Sequence, residues 1–231
     1  MILTGTIVNA LGILAGGGVG LLIHKLMHRG IPQRFSDAII KAISLAVIYI
    51  AFGGILDGSH ALVTIFSLVT GAVIGEWIDI DGRIQNLSTK LERRFAKGDD
   101  NTFSQGFMTA TLLFCVGTMA IKGSLDSGLI NDHATLYAKS IMDTISACLF
   151  ASSLGVGVLF SSAAVFIYQG SITLLATIAA PFLSDLVIAE MNTVGSLLLF
   201  GLSLNLLGVT KLKLMNYIPA MFLPILFCLF L

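Results

Sequence analysis

Charge is the scarcest property of this sequence. Only 11% of the 231 residues are charged, whereas soluble domains carry about 25%. So few charges cannot cover a surface that faces water, and a hydrophobic content of 56% with a mean hydropathy of +0.95 indicates a membrane protein. Neither sign dominates, since 13 Lys and Arg balance 13 Asp and Glu. This balance excludes the concentrated basic face of a nucleic-acid-binding protein.

Cysteine and catalytic motifs are also scarce. The three cysteines, Cys115, Cys148 and Cys228, lie singly in apolar stretches, so we predict neither a disulfide nor a metal site. The sequence has no glycine-rich phosphate loop, no HExxH motif and no nucleophile elbow. The protein is therefore predicted not to be an enzyme and to need no cofactor.

Long uncharged segments are abundant, and they predict an all-α transmembrane bundle. About 20 apolar residues cross the roughly 30 Å core of a bilayer as a helix. The charge-free windows are therefore expected to form about eight spans within one domain, residues 1–231. The windows are Leu3–Ile23, Ala42–Leu56, Ala61–Gly75, Asn101–Ile121, Thr144–Ser184, Met191–Thr210 and Leu214–Leu231. The fifth window is long enough for two helices, with a turn predicted at Tyr168–Ser171.

The distribution of charge predicts the orientation of these spans. Most Lys and Arg residues fall in alternate loops, which the positive-inside rule places in the cytoplasm, so both termini are predicted outside. Acidic residues dominate the outer loops and would attract cations there, although the same asymmetry also follows from the topology alone. The hydrophilic segment 79–100, between spans 3 and 4, has apolar residues at helical spacing and is predicted to be an amphipathic linker helix on the inner leaflet.

A glycine-asparagine motif occurs twice. The pattern G-x3-N-x2-G is found at residues 5–12 in span 1 and at residues 201–208 in span 7, so spans 1–2 and 7–8 are predicted to be a repeated hairpin, a frequent feature of transporters. Asn9 and Asn205 either join helices or offer oxygens to an ion or polar solute. Glycines three or four residues apart predict close helix packing at Gly12, Gly16, Gly20, Gly71 and Gly75.

Asp143 is the most informative ionisable residue, because it directly precedes the longest uncharged run. Lys139, Ser146 and Ser153 continue the same helical face. This polar stripe predicts a cation pathway in which Asp143 attracts the cation or exchanges a proton. The alternative is an ion pair between Lys139 and Asp143 that caps the outer end of the helix.

Two further acids lie at the edges of apolar windows. Glu190 lies within residues 185–192, which are expected to form either a short outer loop or a re-entrant turn that carries Glu190 inward. Glu76 precedes Trp77 and is interpreted mainly as an interfacial anchor.

Six segments also carry a family resemblance: Gly5–Gly20, Gly71–Asp81, Gly106–Asp132, Lys139–Gly157, Tyr168–Ala176 and Glu190–Gly208. They resemble the bacterial family known as domain of unknown function 554. The resemblance implies a multi-pass protein of the bacterial inner membrane that acts as a sodium channel or pump. Residues that match the recurring motifs of this family are Asn9, Glu76, Asp132, Lys139, Asp143 and Glu190.

These observations favour a membrane transport protein, either a secondary transporter or a channel, for sodium or protons. The predicted pathway residues are Asp143, Asn9, Asn205, Ser153, Ser146 and Glu190, supported by Lys139 and Glu76. The alternatives are a proton-coupled exporter of small polar metabolites and a membrane scaffold that binds a partner. The lipid bilayer is the expected surrounding, and eight spans are few for a transporter with two moving bundles, which favours a homodimer.

Overall fold

The computed structural model of the chain describes residues 1–27, 33–86 and 102–230, and their regular structure is entirely helical. This confirms the predicted all-α class. The eight longest helices in these residues are α1 Thr4–Met27, α2 Gln33–Ile55, α3 Ala61–Ile78, α4 Thr102–Cys115, α5 Thr118–Leu129, α6 Ala134–Leu154, α7 Gly157–Leu174 and α8 Asp185–Leu206. Shorter helical stretches cover 80–86, Ala176–Ala179, Ala180–Phe182, Leu214–Met221, Pro224–Phe227 and Cys228–Phe230.

Five helices of the described residues are long and apolar enough to cross a membrane, namely α1, α2, α3, α7 and α8. A sixth crossing is formed if α4 and α5 are taken together, although they are bent by 60° where they meet. Residues 214–227, called here the C-terminal segment, form a shorter apolar helical stretch. The predicted count of eight spans is therefore not confirmed.

The turn predicted at Tyr168–Ser171 is wrong, since these residues lie within α7. The chain instead reverses at Gly155 and Val156, where Gly155 has a φ of 74°, a conformation that favours glycine. Helix α6 begins at Ala134, so Asp143 is its tenth residue and not the outer cap of a helix. The uncharged window misplaced these boundaries because the polar residues Lys139, Ser140 and Asp143 in the first half of α6 are buried against protein, so they lie within a helix and not in a loop.

Both expectations for residues 185–192 are also wrong. These residues form the first two turns of α8, and the Ser184 hydroxyl caps this helix by accepting a hydrogen bond from the Val187 amide. The predicted eighth span is not a continuous α-helix, because it holds two prolines, Pro219 and Pro224. Proline lacks the amide donor that a helix interior requires, and 3-10 turns replace the α-helix over Leu214–Met221.

The predicted hairpin repeat is not reproduced. A regular helix of 23 residues follows α1, whereas 3-10 turns follow α8. The linker predicted over 79–100 is helical at residues 80–86, and residues 87–100 lie outside the described residues.

Helix packing divides the described residues into two groups. The first group consists of α1 and α4–α7, and the second of α2, α3, α8 and the C-terminal segment. A continuous apolar core joins them. In α8, 78% of the residues in the spanning window are buried, the largest share among these spans. In α2 only 17% are buried, and this helix presents its apolar surface outward. Such apolar exteriors are what a bilayer requires.

Glycines determine how closely α1 approaches α6. A Cβ at Gly5 would meet Leu136 and one at Gly20 would meet Cys148 and Ala151, so the two helices run parallel. A Cβ at Gly16 would overlap the carbonyl oxygen of Thr144. Close backbone contact of this kind is typical of small residues in membrane helices.

We expect Gly16→Ala to lower the stability of the bundle by about 1–3 kcal/mol, because the Thr144 backbone cannot move aside without separating α1 from α6. The matched control is Gly18→Ala on the same helix, where a Cβ would have open space and alanine favours the helix by up to about 1 kcal/mol. The unfolding temperature in detergent measures the stability of both variants. Equal unfolding temperatures for the two variants would contradict this packing.

Candidate functional site

Helices α1, α6 and α7 bring four polar side chains together in the interior. The ammonium of Lys139 lies 2.9 Å from each carboxylate oxygen of Asp143. The amide nitrogen of Asn9 donates to Asp143 Oδ2 at 3.0 Å and to Gln169 Oε1 at 3.2 Å. We call Asn9, Lys139, Asp143 and Gln169 the polar cluster.

The polar cluster is buried. Asn9 and Gln169 are fully enclosed, and Lys139 and Asp143 are each 6% exposed. Asp143 lies about 14 Å along a helix of about 31 Å, near its midpoint. Charges that are buried to this extent are costly unless paired, and the Lys139 and Asp143 charges cancel.

A break between two helices adjoins this cluster. Helix α4 packs against α6 and α7 and ends at Cys115. Gly117, between α4 and α5, has a φ of 122°, a value that favours glycine. The carboxyl end of a helix carries partial negative charge. Discontinuous helices with such ends are characteristic of ion sites in transporters.

Unpaired polar atoms accompany the cluster. In the described part of the chain, ten buried side-chain nitrogen or oxygen atoms have no hydrogen-bond partner, and nine of them are on α1, α4, α6 and α7. Other buried hydroxyls, such as that of Ser161, donate to a carbonyl of their own helix. The nine atoms, called here the polar track, are Thr6 Oγ1, Asn9 Oδ1, Ser104 Oγ, Thr109 Oγ1, Thr111 Oγ1, Ser153 Oγ, Tyr168 Oη, Gln169 Nε2 and Thr173 Oγ1.

The polar track extends to both sides of the cluster. Ser153 lies about 15 Å beyond Asp143 toward the carboxyl end of α6. Helix α7 runs antiparallel to α1, since a Cβ at Gly17 would meet Leu159 and one at Gly170 would approach Thr6. Thr173 therefore lies about 6 Å beyond Gln169 in the opposite direction. Buried polar atoms without partners are positions where water or an ion is bound in many proteins.

The structure joins three of the predicted site residues, Asn9, Lys139 and Asp143. Ser146 and Ser153 follow on the same helix, with Ser153 buried and Ser146 partly exposed. Sequence reasoning missed Gln169, which was assigned to a turn. A glutamine inside an uncharged run is itself a signal, because its amide must find partners in the membrane.

Asn205 does not belong to this cluster, contrary to prediction. It lies in the last turn of α8, where its oxygen accepts from the Leu212 amide at 2.9 Å and from the Thr210 hydroxyl at 2.7 Å. Its nitrogen donates to the Leu212 carbonyl at 2.8 Å. The amide therefore closes the loop after α8.

Glu190 is fully buried on α8, where it binds the amino end of α3. Its Oε1 accepts from the backbone amides of Ser59 at 2.8 Å and His60 at 2.9 Å, and its Oε2 accepts from the Thr64 hydroxyl at 3.3 Å. A carboxylate at a helix amino end satisfies free amides and opposes the helix dipole. Asn192 adds a 2.6 Å hydrogen bond to Asp57. Glu190 thus fastens α8 to the loop between α2 and α3.

Glu76 belongs to a second polar network at the other end of α3. Its carboxylate pairs with Lys213 at 3.2 Å and accepts a hydrogen bond from Asn216. The Asn216 oxygen in turn accepts from the Asp81 amide at 2.7 Å. The hydrogen bond to Glu76 raises the pKa of Lys213, whereas burial raises the pKa of Asp81. Trp77 is 89% exposed, as an interfacial anchor would be.

The remaining charged contacts are peripheral. Lys122 pairs with Asp185 at 2.7 Å, and their side chains are 48% and 88% exposed. Among the residues that the structure describes, no three His, Cys, Asp or Glu side chains are grouped to hold a metal ion. A cation at Asp143 would therefore be held by one carboxylate and neutral oxygens.

Replacing Glu190 by Gln should lower the free energy of unfolding by about 1–3 kcal/mol, because the amide group puts a donor in place of one of the two acceptor oxygens that three donors share. Thermal unfolding in detergent tests this. Asp185→Asn, on the same helix but exposed, is the matched control and should change stability by less than about 1 kcal/mol. A Glu190→Gln variant as stable as the control would show that Glu190 does not hold α8 to α3.

Comparisons with known proteins agree on one family. The family model described as "Protein of unknown function (DUF554)" matches residues 4–229. The chain is 30% identical over 224 residues to the "Uncharacterized membrane protein YdfK" of Bacillus subtilis (strain 168), covering 95% of this chain and 93% of that protein. It is 26% identical over 223 residues to the "Uncharacterized protein YqgA" of Escherichia coli (strain K12), with coverage of 95% and 93%.

No solved structure matches the chain. The apolar helices and the membrane relative together identify an integral membrane protein that is embedded in a lipid bilayer. The family match extends over nearly the whole length, from the first turn of α1 to the last turns of the chain. The chain belongs to the family of proteins of unknown function DUF554.

Proposed function

We propose that this protein is a secondary transporter for a small monovalent cation, sodium or proton, in the bacterial inner membrane. Asp143 is the residue that takes the cation. The observation that carries the proposal is the buried pair of Lys139 and Asp143 near the midpoint of α6, bound by Asn9 and enclosed by α1 and α7.

The cost of this pair favours a functional role. A buried ion pair contributes little net stability, because the desolvation of both charges offsets their attraction. Apolar side chains would hold α1, α6 and α7 together at lower cost. Ionisable residues inside membrane proteins are typically retained for ion or proton movement.

The surroundings of Asp143 suit a hard cation. Such cations prefer carboxylate, carbonyl and hydroxyl oxygens. The Asn9 oxygen has no hydrogen-bond partner within the described residues, and α4, which ends at Cys115, packs against α6 and α7. One carboxylate with neutral oxygens supplies a single negative charge, which balances a monovalent cation but not a divalent one.

The polar track supports a route to the site from both ends of the bundle. It includes Thr173 on one side of the cluster and Ser153 and Ser104 on the other. The break at Gly117 supplies a point where α4 and α5 can change their relative angle. The division of the helices into two packing groups suits alternating access. By the positive-inside rule, the end of α6 that carries Ser153 faces the cytoplasm.

The homodimer is part of this proposal. In α2 and α3 only 17% and 22% of the residues in the spanning windows are buried, so their apolar faces are available to a second copy of the chain as well as to lipid. Each subunit would carry its own polar cluster, since the cluster is complete within one chain.

Removal of the charged pair should abolish transport and leave the fold intact. The variant Lys139→Gln/Asp143→Asn keeps the shape of Asp143 and most of the length of Lys139, and it avoids an unpaired buried charge, so we expect it to unfold near the wild-type temperature. Transport is measured in liposomes under a sodium gradient. Uptake of radioactive sodium measures the sodium flux, and the internal pH measures the proton flux. Both fluxes should fall to the level of empty liposomes.

The matched control is Lys122→Gln/Asp185→Asn, which removes an exposed pair of the same composition. It should transport at the wild-type rate. Undiminished flux in the folded Lys139→Gln/Asp143→Asn variant would contradict the role of Asp143. Absence of sodium and proton flux in the wild-type protein would favour the export of polar metabolites or a scaffold role instead.

A further inference from the structure

We infer that Gln169 is a positioning residue, which holds the Asn9 amide so that the Asn9 oxygen binds the cation together with the Asp143 carboxylate. This inference rests on the proposed function, and it adds a second ligand and the residue that orients it. Gln169 acts through Asn9 and not by contact with the cation.

Hydrogen bonds fix the orientation of the Asn9 amide. Its nitrogen carries two hydrogens, and it donates to Asp143 Oδ2 at 3.0 Å and to Gln169 Oε1 at 3.2 Å. The reverse orientation would place the Asn9 oxygen against the ionised Asp143 carboxylate, which repels it. Gln169 must therefore face the Asn9 nitrogen with its own oxygen, and the Asn9 oxygen is left free.

The free amide atoms distinguish this contact from a simple link between helices. Two side-chain amides that only join helices can exchange two hydrogen bonds, which pairs both oxygens and both nitrogens. Here one bond forms, and Asn9 Oδ1 and Gln169 Nε2 are buried without a partner in the described part of the chain. Leaving buried polar atoms unpaired costs stability, so these atoms point to a bound ion or water.

The Asn9 oxygen lies within reach of a cation at Asp143. The oxygen and nitrogen of one amide are about 2.3 Å apart, so Asn9 Oδ1 is at most about 5 Å from Asp143 Oδ2. Hard cations such as calcium bind protein oxygens at roughly 2.3–2.6 Å, and an ion of that size bridges two oxygens up to about 5 Å apart. One cation can therefore bind both side chains.

Gln169 maintains this arrangement when the cation arrives. A cation that binds Asp143 Oδ2 competes with the Asn9 amide for that oxygen and weakens their hydrogen bond. The bond to Gln169 does not involve the carboxylate, so it keeps the Asn9 nitrogen turned toward α7 and the Asn9 oxygen available. A ligand that is already oriented binds more tightly, because less freedom is lost on binding.

The variant Gln169→Met keeps most of the side-chain length and removes the acceptor that holds Asn9. Groups that orient a metal ligand typically contribute about 10–100-fold to metal affinity. We therefore expect the half-saturating sodium concentration for uptake to rise at least about tenfold, while the maximal rate stays near the wild-type rate. The matched control is Gln85→Met, which removes an exposed amide that donates to Asp81 at 2.7 Å and should leave sodium affinity unchanged.

A double-mutant cycle tests whether Gln169 acts through Asn9. Asn9→Leu removes the amide and keeps a side chain of similar size, so Gln169→Met should have no further effect on sodium affinity in that background. A purely structural role of Gln169 would lower affinity equally in both backgrounds. Binding is measured from the rise in unfolding temperature of the full chain with sodium chloride, with choline chloride as the ionic-strength control, because this readout does not require transport.

A second measurement needs no variant at position 169. In wild-type protein with isotope-labelled asparagine, sodium should shift one amide carbonyl band in the infrared spectrum, and the shift should be absent in Asn9→Leu. A carbonyl band that sodium does not shift would overturn the inference even if Gln169→Met does not fold.

Wild-type sodium affinity in folded Gln169→Met, or independent effects of the two substitutions in the cycle, would also overturn the inference. Proton flux without any sodium dependence in the wild-type protein would overturn it and leave the proposed cation transport standing. Absence of both sodium and proton flux in the wild-type protein would remove the proposed function together with this inference.

Discussion

The buried pair of Lys139 and Asp143 must have no net charge, and this requirement limits how α1, α6 and α7 can pack in the core. Lys139 and Asp143 can remain charged between α1, α6 and α7 only because each carries the other's counter-charge and Asn9 completes the hydrogen bonding. Close approach of α1 is needed for this contact. The glycines of α1 allow that approach, since a side chain at Gly16 would collide with the backbone of α6. Packing and electrostatics are therefore coupled at the same helix interface.

The rest of the described structure positions this interface and encloses it. Glu190 fastens α8 to the amino end of α3, and Glu76 with Asn216 connects the other end of α3 to the C-terminal segment. The carboxylates of both networks accept hydrogen bonds, whereas the atoms of the polar track, which lie in the first helix group, have no partner in the described part of the chain. The second group is thus connected by paired polar side chains, and the first group holds the polar cluster. The broken helix α4–α5 packs against α6, the helix that carries both members of the ion pair.

Hydropathy predicted the parts of the fold that face lipid. Charge-free windows located α1, α3 and the end of α2 within four residues, because the outer surfaces of these helices are apolar, but they missed the start of α2, which holds charged residues. The same reasoning failed between residues 134 and 206, where polar residues are buried within the protein and hydropathy cannot distinguish them from loops. Asp143 and Asn9 were identifiable because a carboxylate and an amide are expensive in a membrane. The contact of Asn9 with Gln169 could not be predicted, because the direction and rotation of a helix depend on packing. Asn205 shares a sequence motif with Asn9, but it lies in a different environment, where it bonds to the loop after α8.

The proposed function requires the Asp143 carboxylate to bind a monovalent cation. Infrared difference spectroscopy of the purified protein, with and without sodium chloride, observes that carboxylate directly, with choline chloride as the ionic-strength control. We expect a sodium-dependent shift of a carboxylate stretching band that is lost in Asp143→Asn and retained in Asp185→Asn. A spectrum of the folded protein that changes neither with sodium nor with pH would contradict cation binding at Asp143.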